Sequence, residues 1–204
     1  MEDGAIDNPW TTLGSKIVYS TAWFRVREDA VITPAGLRGT YSVVEIAPSV
    51  GVIAMTQDRE IALVRQWRYV HGKPSLEIPT GGSVEGETMV DAAQRELAEE
   101  TGVTAGSWTA FGTVDNSNGA TTDVAHLFLA TDLSPVSAQE IEDEEPVEVT
   151  WVPFDNAVRM VINNQITESV SIAGILKLAL QPLGTLRVGQ VELGRLQRAR
   201  RMYV

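Results

Sequence analysis

The chain has 204 residues, 44% of them hydrophobic and 21% charged, with a formal net charge of −11 and no cysteine. That length suits one sizeable domain, or one domain with a small appendage, and the composition is that of a globular chain rather than a disordered one. The negative charge disfavours a general grip on DNA or RNA, and the lack of cysteine excludes disulfides, thiolate nucleophiles and Cys-based zinc sites.

The N-terminus, MEDGAIDNPW, is acidic and has no apolar core of signal-peptide type. The most apolar early run, residues 43–55, contains Glu45 and Pro48 and is too short to span a bilayer. These features fit a cytosolic protein with no membrane partner and no nucleic-acid partner.

In chain order, residues 16–47 read as an antiparallel unit. Residues 16–20 and 24–32 are rich in β-branched and aromatic side chains, Thr33-Pro34-Ala35-Gly36 supplies turn chemistry, and 40–46 returns as a third strand. No catalytic residue stands out there, so the unit serves packing or dimerisation. From Gly51 the pattern changes. Residues 52–56, the polar turn Gln57-Asp58-Arg59-Glu60 and residues 61–67 read as a second hairpin, and 76–79 as a short strand entering Gly81-Gly82.

Residues 88–100 have helical spacing, with Met89, Val90, Ala93 and Leu97 on adjoining positions and Gly102 as the stop. Residues 108–114 and 124–130 read as strands around the polar loop 115–122, and 147–152 as another. Residues 155–163 and 168–180 read as helices, with Asp155 and Thr167 as N-cap candidates. The tail carries Arg187, Arg195, Arg198, Arg200 and Arg201 against Glu192. Such a run is either a helix face lying against solvent or acidic surface, or a contact for nucleic acid or a partner.

The helix over 88–100 poses an electrostatic problem. At about 100° per residue, Glu96, Glu99 and Glu100 fall within an arc of roughly 100° beside Met89 and Ala93. Each like-charge pair at that spacing costs a few tenths of a kcal/mol when exposed, and more where an apolar stripe half-buries it. A divalent cation removes the conflict. Carboxylate oxygens with no sulfur or histidine cluster nearby favour Mg2+, with Mn2+ as a substitute. Arg95 can pair with Asp91 or Glu99 and hold a glutamate in place, and Gly81 and Gly82 allow tight or left-handed backbone close to a ligand. The bland alternative is an exposed amphipathic helix with a solvated charge run.

The flanking spacing decides between these. Gly81 is followed by five residues and Glu87, then seven and Arg95-Glu96; Leu97, Glu99, Glu100, Gly102 and Val103 complete the pattern. This resembles the Nudix box of the Nudix hydrolases at every fixed position. The resemblance covers about residues 50–180. It implies an α/β fold, the Nudix α/β/α sandwich with a mixed sheet, here preceded by a small N-terminal antiparallel β subdomain. The implied division is 1–48 for that subdomain, 49–182 for the hydrolase domain and 183–204 for the Arg-rich tail.

The implied chemistry is Mg2+-dependent in-line hydrolysis of a nucleoside diphosphate linked to another moiety. Mapped by position, Glu96 and Glu100 are metal ligands, Glu99 a ligand or base, Arg95 their catalytic-site neighbour, and the carbonyl of Thr80 a further metal ligand. Outside the box, Val64-Arg65-Gln66-Trp67-Arg68 followed by Leu76-Glu77-Ile78-Pro79-Thr80-Gly81 is similar to the ADP-ribose and nucleotide-sugar pyrophosphatases. The likeness implies substrate contacts from Arg68, Glu77, Gly81 and Gly82. Arg68 either grips the diphosphate with its planar fork or pairs with Glu77. Trp67 either stacks on a base or joins the core.

In that group a loop glutamate orders or deprotonates the attacking water. Within the acidic run 139–148, Asp143, Glu144 and Glu145 are the candidates, the alternative being a solvated loop. The N-terminal unit implies a homodimer, since such units are exchanged in that group. One departure is that no proline lies between Gly102 and Pro135, where ADP-ribose pyrophosphatases often carry one. That leaves room for other nucleotide sugars, with the loop 115–122 as a terminal-sugar contact. His71 reads as exposed and His126 as a structural strand residue. Dinucleoside polyphosphates, coenzyme A and damaged nucleoside triphosphates are alternative substrates within the same chemistry. A nucleotide-sensing regulator is the alternative outside it.

Overall fold

A computed structural model describes residues 7–136 and 147–181. The described residues form two compact units, one from residues 7–48 with 115–124, the other from residues 49–114 with 125–136 and 147–181.

The first unit is an antiparallel sheet of β1 (Thr11–Ser20), β2 (Phe24–Ile32) and β3 (Arg38–Ile46), in the order β1-β2-β3. β1 begins five residues before the sequence pattern suggests. Pairing runs on to Thr11 opposite Ile32, through register irregularities that blur the alternation of side chains. All ten residues of β1 are exposed. On the adjoining strands Arg25 and Arg27 both reach Glu45, and Arg27 also binds Asp29 at 2.9 Å.

The loop 115–122 belongs to this unit. Val44 N–H donates to the Ala120 carbonyl at 2.8 Å, and Thr122 N–H donates back to Val44 at 3.0 Å. The Thr122 hydroxyl accepts from Ile46 N–H and donates to the Ile46 carbonyl, while the Tyr41 hydroxyl donates to Gly119 at 2.7 Å. The loop therefore clips the edge of β3. Within this loop, read in the sequence as a sugar contact, the Gly119 and Ala120 carbonyls and the Thr122 N–H and hydroxyl are engaged in this way.

The second unit contains β4 (Ser49–Ala54), β5 (Glu60–Arg68), β6 (Lys73–Glu77), β7 (Thr80–Gly82), α1 (Met89–Thr101), β8 (Val103–Asp115), β9 (Val124–Pro135), β10 (Glu148–Pro153), α2 (Phe154–Ile162) and α3 (Ser169–Leu180). A four-stranded sheet runs β7-β4-β9-β8 and a three-stranded one β10-β5-β6. β4 is parallel to β9 and antiparallel to β7, so the sheet is mixed.

The hairpin expected from 52–56 and 61–67 is not formed as a strand pair. Its turn is present, with Thr56 N–H donating to Glu60 at 2.9 Å, but it closes only the Met55–Ile61 bridge. β4 and β5 then part into different sheets. The reason lies in β4 itself: Val50, Val52, Ile53 and Ala54 are all fully buried, the signature of a central strand that needs partners on both edges.

The alternation along β4 divides the core in two. Val50, Val52 and Ala54 pack with Ala92, Ala93 and Leu97 of α1, whereas Ile53 packs with Val170, Ile175 and Leu178 of α3. Gly51 permits the close approach of α3, since a Cβ there would sit 2.6 Å from Val170 Cγ1. The result is a mixed β core flanked by helices, preceded by an N-terminal antiparallel region: the α/β architecture that the box implies. Among the described residues no helix is long and apolar enough to cross a membrane.

Two helix starts differ from the sequence reading. α3 is capped by Glu168 rather than Thr167, because the longer side chain reaches both Val170 N–H and Ser171 N–H. α2 starts at Phe154 with Pro153 at the cap position, which places Asp155 inside the first turn, where its charge faces the positive end of the helix.

Candidate active site

The site is assembled from α1, β7 and the end of β5. α1 is delimited as its sequence predicts. Thr88 accepts from Asp91 N–H at 3.2 Å, and Gly102, in the left-handed conformation, closes the last turn onto Ala98. Ala92, Ala93 and Leu97 fix its inner face in the core, and that anchoring orients the carboxylates one to three residues from Leu97.

Arg95 is the hub. Its Nε donates to Glu87 at 3.0 Å, its Nη1 to Glu96 at 2.7 Å and Glu99 at 3.0 Å, and its Nη2 to the Gly82 carbonyl at 2.9 Å. Of the two partners expected from spacing, Glu99 is found; Asp91 instead takes the Thr88 hydroxyl at 2.6 Å. Glu87 also caps Val84 N–H at 3.1 Å, so one guanidinium ties the loop after β7 to the helix.

Glu96 is 9% exposed and lies against Gly81. A Cβ on Gly81 would come within 1.9 Å of the Glu96 carboxyl carbon. Neither Gly81 nor Gly82 has a positive φ; the left-handed glycines of this region are Gly86 and Gly102. Gly81 is therefore required by the carboxylate pressed on its backbone and not by a left-handed turn. Gly82 has open space around it and supplies a carbonyl to Arg95.

Glu100 accepts from Thr80 N–H at 3.1 Å. Burial pushes its carboxyl up to about 8, with the neighbouring Glu96 and Glu77 adding to the rise and the Thr80 bond and Arg68 opposing it. Burial likewise raises Glu96, against the pull of Arg95. The site as it stands is short of positive charge.

Arg68 forks onto Glu77 through Nε, at 2.9 Å, and Nη2. Glu77 is 1% exposed, and the bonds to it hold the Arg68 guanidinium firmly charged, with Glu100 and Glu168 also in its field. Of the two roles open to Arg68 in the sequence, this structure shows the pair with Glu77. Trp67, on the opposite side of the strand, is 59% exposed and not part of the core. His71 is exposed, and burial lowers His126.

Two partners escaped the sequence reading: Ser171, whose hydroxyl accepts from Ile78 N–H at 3.0 Å, and Glu168, which accepts from that hydroxyl at 2.7 Å. Asp143, Glu144 and Glu145, and the Arg-rich tail, lie outside the described residues.

The arrangement is a row of hard oxygen donors beside a backbone made accessible by glycine, with guanidinium groups at either side. Among the described residues no three of these groups already enclose an ion position. The donor set nevertheless fits a hard divalent cation: Glu96, Glu99 and Glu100 are carboxylates, and burial raises the carboxyls of Glu96 and Glu100, a cost that added positive charge offsets.

Comparison with known proteins accords with this geometry. The NUDIX domain model matches residues 45–170, and that of the nucleoside diphosphate sugar hydrolase N-terminal domain matches residues 10–44. An ADP-ribose pyrophosphatase of Mycobacterium tuberculosis (strain ATCC 25618 / H37Rv) is 33% identical over 172 residues, 83% of each chain. An ADP-ribose pyrophosphatase of Bacillus subtilis (strain 168) is 29% identical over 171 residues, 83% of this chain and 92% of that one. The crystal structure of an ADP compounds hydrolase superposes with a TM-score of 0.75 at 21% identity, covering 83% of this chain and 92% of the other, which speaks to the fold alone. With the box carboxylates gathered around Arg95 on a mixed-sheet scaffold, and most of the length matched, the chain belongs to the Nudix family of hydrolases.

Proposed function

We propose that this Nudix pyrophosphohydrolase cleaves the diphosphate of ADP-ribose or a related nucleotide sugar, giving a nucleoside monophosphate and a sugar phosphate. The observation that carries this reading is the α1–β7 assembly: Arg95 holds Glu96 and Glu99 while Glu100 is buried against Thr80. The pyrophosphatase relatives and the N-terminal match support the substrate class.

In this proposal Glu96, Glu99, Glu100 and the Thr80 carbonyl hold Mg2+, or Mn2+ in its place. When bound, the ion supplies charge for the diphosphate oxygens and lowers the pKa of a bound water. The chain's own groups do the rest. Arg68, kept in one orientation by Glu77, presents a guanidinium to the substrate diphosphate, and the Gly81–Gly82 backbone lets that diphosphate approach. Arg95 keeps the glutamates from splaying apart. A carboxylate of the acidic run 139–148, Glu144 or Glu145, with Asp143 as a third candidate, takes the proton of the attacking water.

The division into an N-terminal unit at 1–48, a hydrolase domain at 49–182 and a tail at 183–204 is part of the proposal, as are a homodimer formed through the exposed β1 face and a cytosolic setting. The test is a panel of nucleotide sugars and dinucleotides incubated with Mg2+, with both products identified. Release of AMP and ribose 5-phosphate from ADP-ribose supports the reading. A protein that yields no phosphomonoester from any nucleotide sugar would falsify it.

A further inference from the structure

The peptide between β6 and β7 leaves one sheet for the other, so its N–H groups lose their ladder partners and must find others. Thr80 N–H uses Glu100 at 3.1 Å, and the Pro79 carbonyl accepts from Val52 N–H at 2.9 Å. Ile78 N–H is satisfied differently. It donates 3.0 Å to the hydroxyl of Ser171, 93 residues further along the chain.

Ser171 is fully buried. Its hydroxyl proton goes to Glu168 Oε2 at 2.7 Å, which leaves a lone pair for Ile78 N–H. Glu168 is held in turn by Val170 N–H at 2.8 Å and Ser171 N–H at 2.7 Å. Donation runs one way through this chain of bonds, from the Ile78 amide through the Ser171 hydroxyl to the Glu168 carboxylate that caps the helix. That amide sits between Glu77, which forks Arg68, and Thr80, which faces Glu100.

We infer that Ser171, oriented by Glu168, is a positioning residue of the hydrolytic site: through Ile78 N–H it sets the segment that carries the Glu77–Arg68 fork on one side and the Thr80 carbonyl on the other. The inference rests on the roles proposed above for Arg68 and Thr80. A purely structural serine would stabilise the fold and leave the site's affinities alone. A positioning serine changes them as well, because its removal frees the one amide between two functional groups.

The experiment compares Ser171→Ala with Val161→Ala, a core truncation in α2 that loses stability without touching this chain of bonds. Three quantities are read: the melting temperature, the Mn2+ dissociation constant by calorimetry without substrate, and kcat and KM for ADP-ribose. Ser171→Ala weakens Mn2+ binding and lowers kcat/KM by roughly 10-fold each, the low end of what removing a partner of a ligand-bearing group does. Val161→Ala melts earlier but keeps both constants, and Ser171→Thr, which retains the hydroxyl, recovers them. If Ser171→Ala does not fold, Ser171→Cys carries the same comparison, since its sulfur is only a weak hydrogen-bonding partner for Ile78 N–H. Unchanged Mn2+ affinity and unchanged kcat/KM in the folded variant overturn the inference. Should the wild-type protein cleave no nucleotide sugar, the proposed function fails, while the Mn2+ comparison still decides the role of Ser171.

Discussion

Gly81→Ala isolates the contribution of one carboxylate's position. Gly81 has no positive φ, so alanine meets no backbone strain and only the new methyl matters. That methyl would lie 1.9 Å from the Glu96 carboxyl carbon and 2.1 Å from each oxygen. Carbon atoms in contact sit about 3.5 Å apart, so the carboxyl must retreat by about 1.5 Å. It is the far end of a flexible side chain and can do so by changing rotamer, leaving α1 and its core contacts in place. The melting temperature of the metal-free variant therefore stays near that of the wild type. A displacement of this size at a reacting centre costs about 100-fold in rate, and Mn2+ binding measured by calorimetry weakens with it. Wild-type kcat together with wild-type Mn2+ affinity would refute the reasoning, because Glu96 would then have no role that depends on where it sits.

Glu99→Gln and Glu100→Gln each lower kcat by about 10²–10³-fold, the scale of losing one preorganised charge. Both keep the fold, because each removes a like charge from a crowded helix face; circular dichroism and kcat on the same samples check this. Gly51→Ala overpacks the seam against Val170, Leu127 and Ile78 and costs about 1–3 kcal/mol, read as a shifted denaturant midpoint. A pH dependence follows from Asp29, whose carboxyl is held below its ordinary range by hydrogen bonds from Arg27 and then Ser15, against the opposing effect of burial. A carboxylate depressed in the folded state contributes stability above its unfolded value and loses it as pH falls through the folded one. Asp29→Asn is thus most destabilised relative to wild type at neutral pH, and the gap closes as pH drops below the ordinary carboxylate range. A gap in melting temperature that holds constant across that range contradicts the assignment.

Much of the site was legible because its pieces are close in sequence. The spacing of Arg95, Glu96, Glu99 and Glu100 maps directly onto helix geometry, and Gly102 stops the helix where expected. The fork between Arg68 and Glu77 was legible only as one of two possibilities, since spacing alone does not say whether a guanidinium turns to a neighbour or to a ligand. Ser171 and Glu168 were invisible. A serine in a helix carries no signal of a bond to an amide 93 residues away, and Glu168 looked like a first-turn acid rather than a cap. The 52–67 hairpin misled because its turn is real. Local turn chemistry promises pairing, but an all-apolar strand with two buried faces is drawn to the centre of a different sheet. At Gly81 the sequence allows tight or left-handed backbone, and the left-handed form is not adopted; a side chain 15 residues away lies against that backbone, which spacing does not reveal.

The clip formed by residues 115–122 changes what it means to trim this protein. The first unit is made from two separate stretches of chain, and the second stretch lies between β8 and β9. Protease cleavage near Pro48 would cut the covalent link of the N-terminal stretch to the rest of the chain, and that stretch would then stay only through its non-covalent contacts with the 115–122 loop. Expression from Ser49 onward would not excise a module cleanly either. It would leave the Ala120 carbonyl, Thr122 N–H and the Thr122 hydroxyl stripped of Val44 and Ile46, in a loop whose shape was set by the missing strand. The N-terminal sheet is threaded into the chain's middle, and any minimal version of the enzyme has to keep both stretches or redesign the loop.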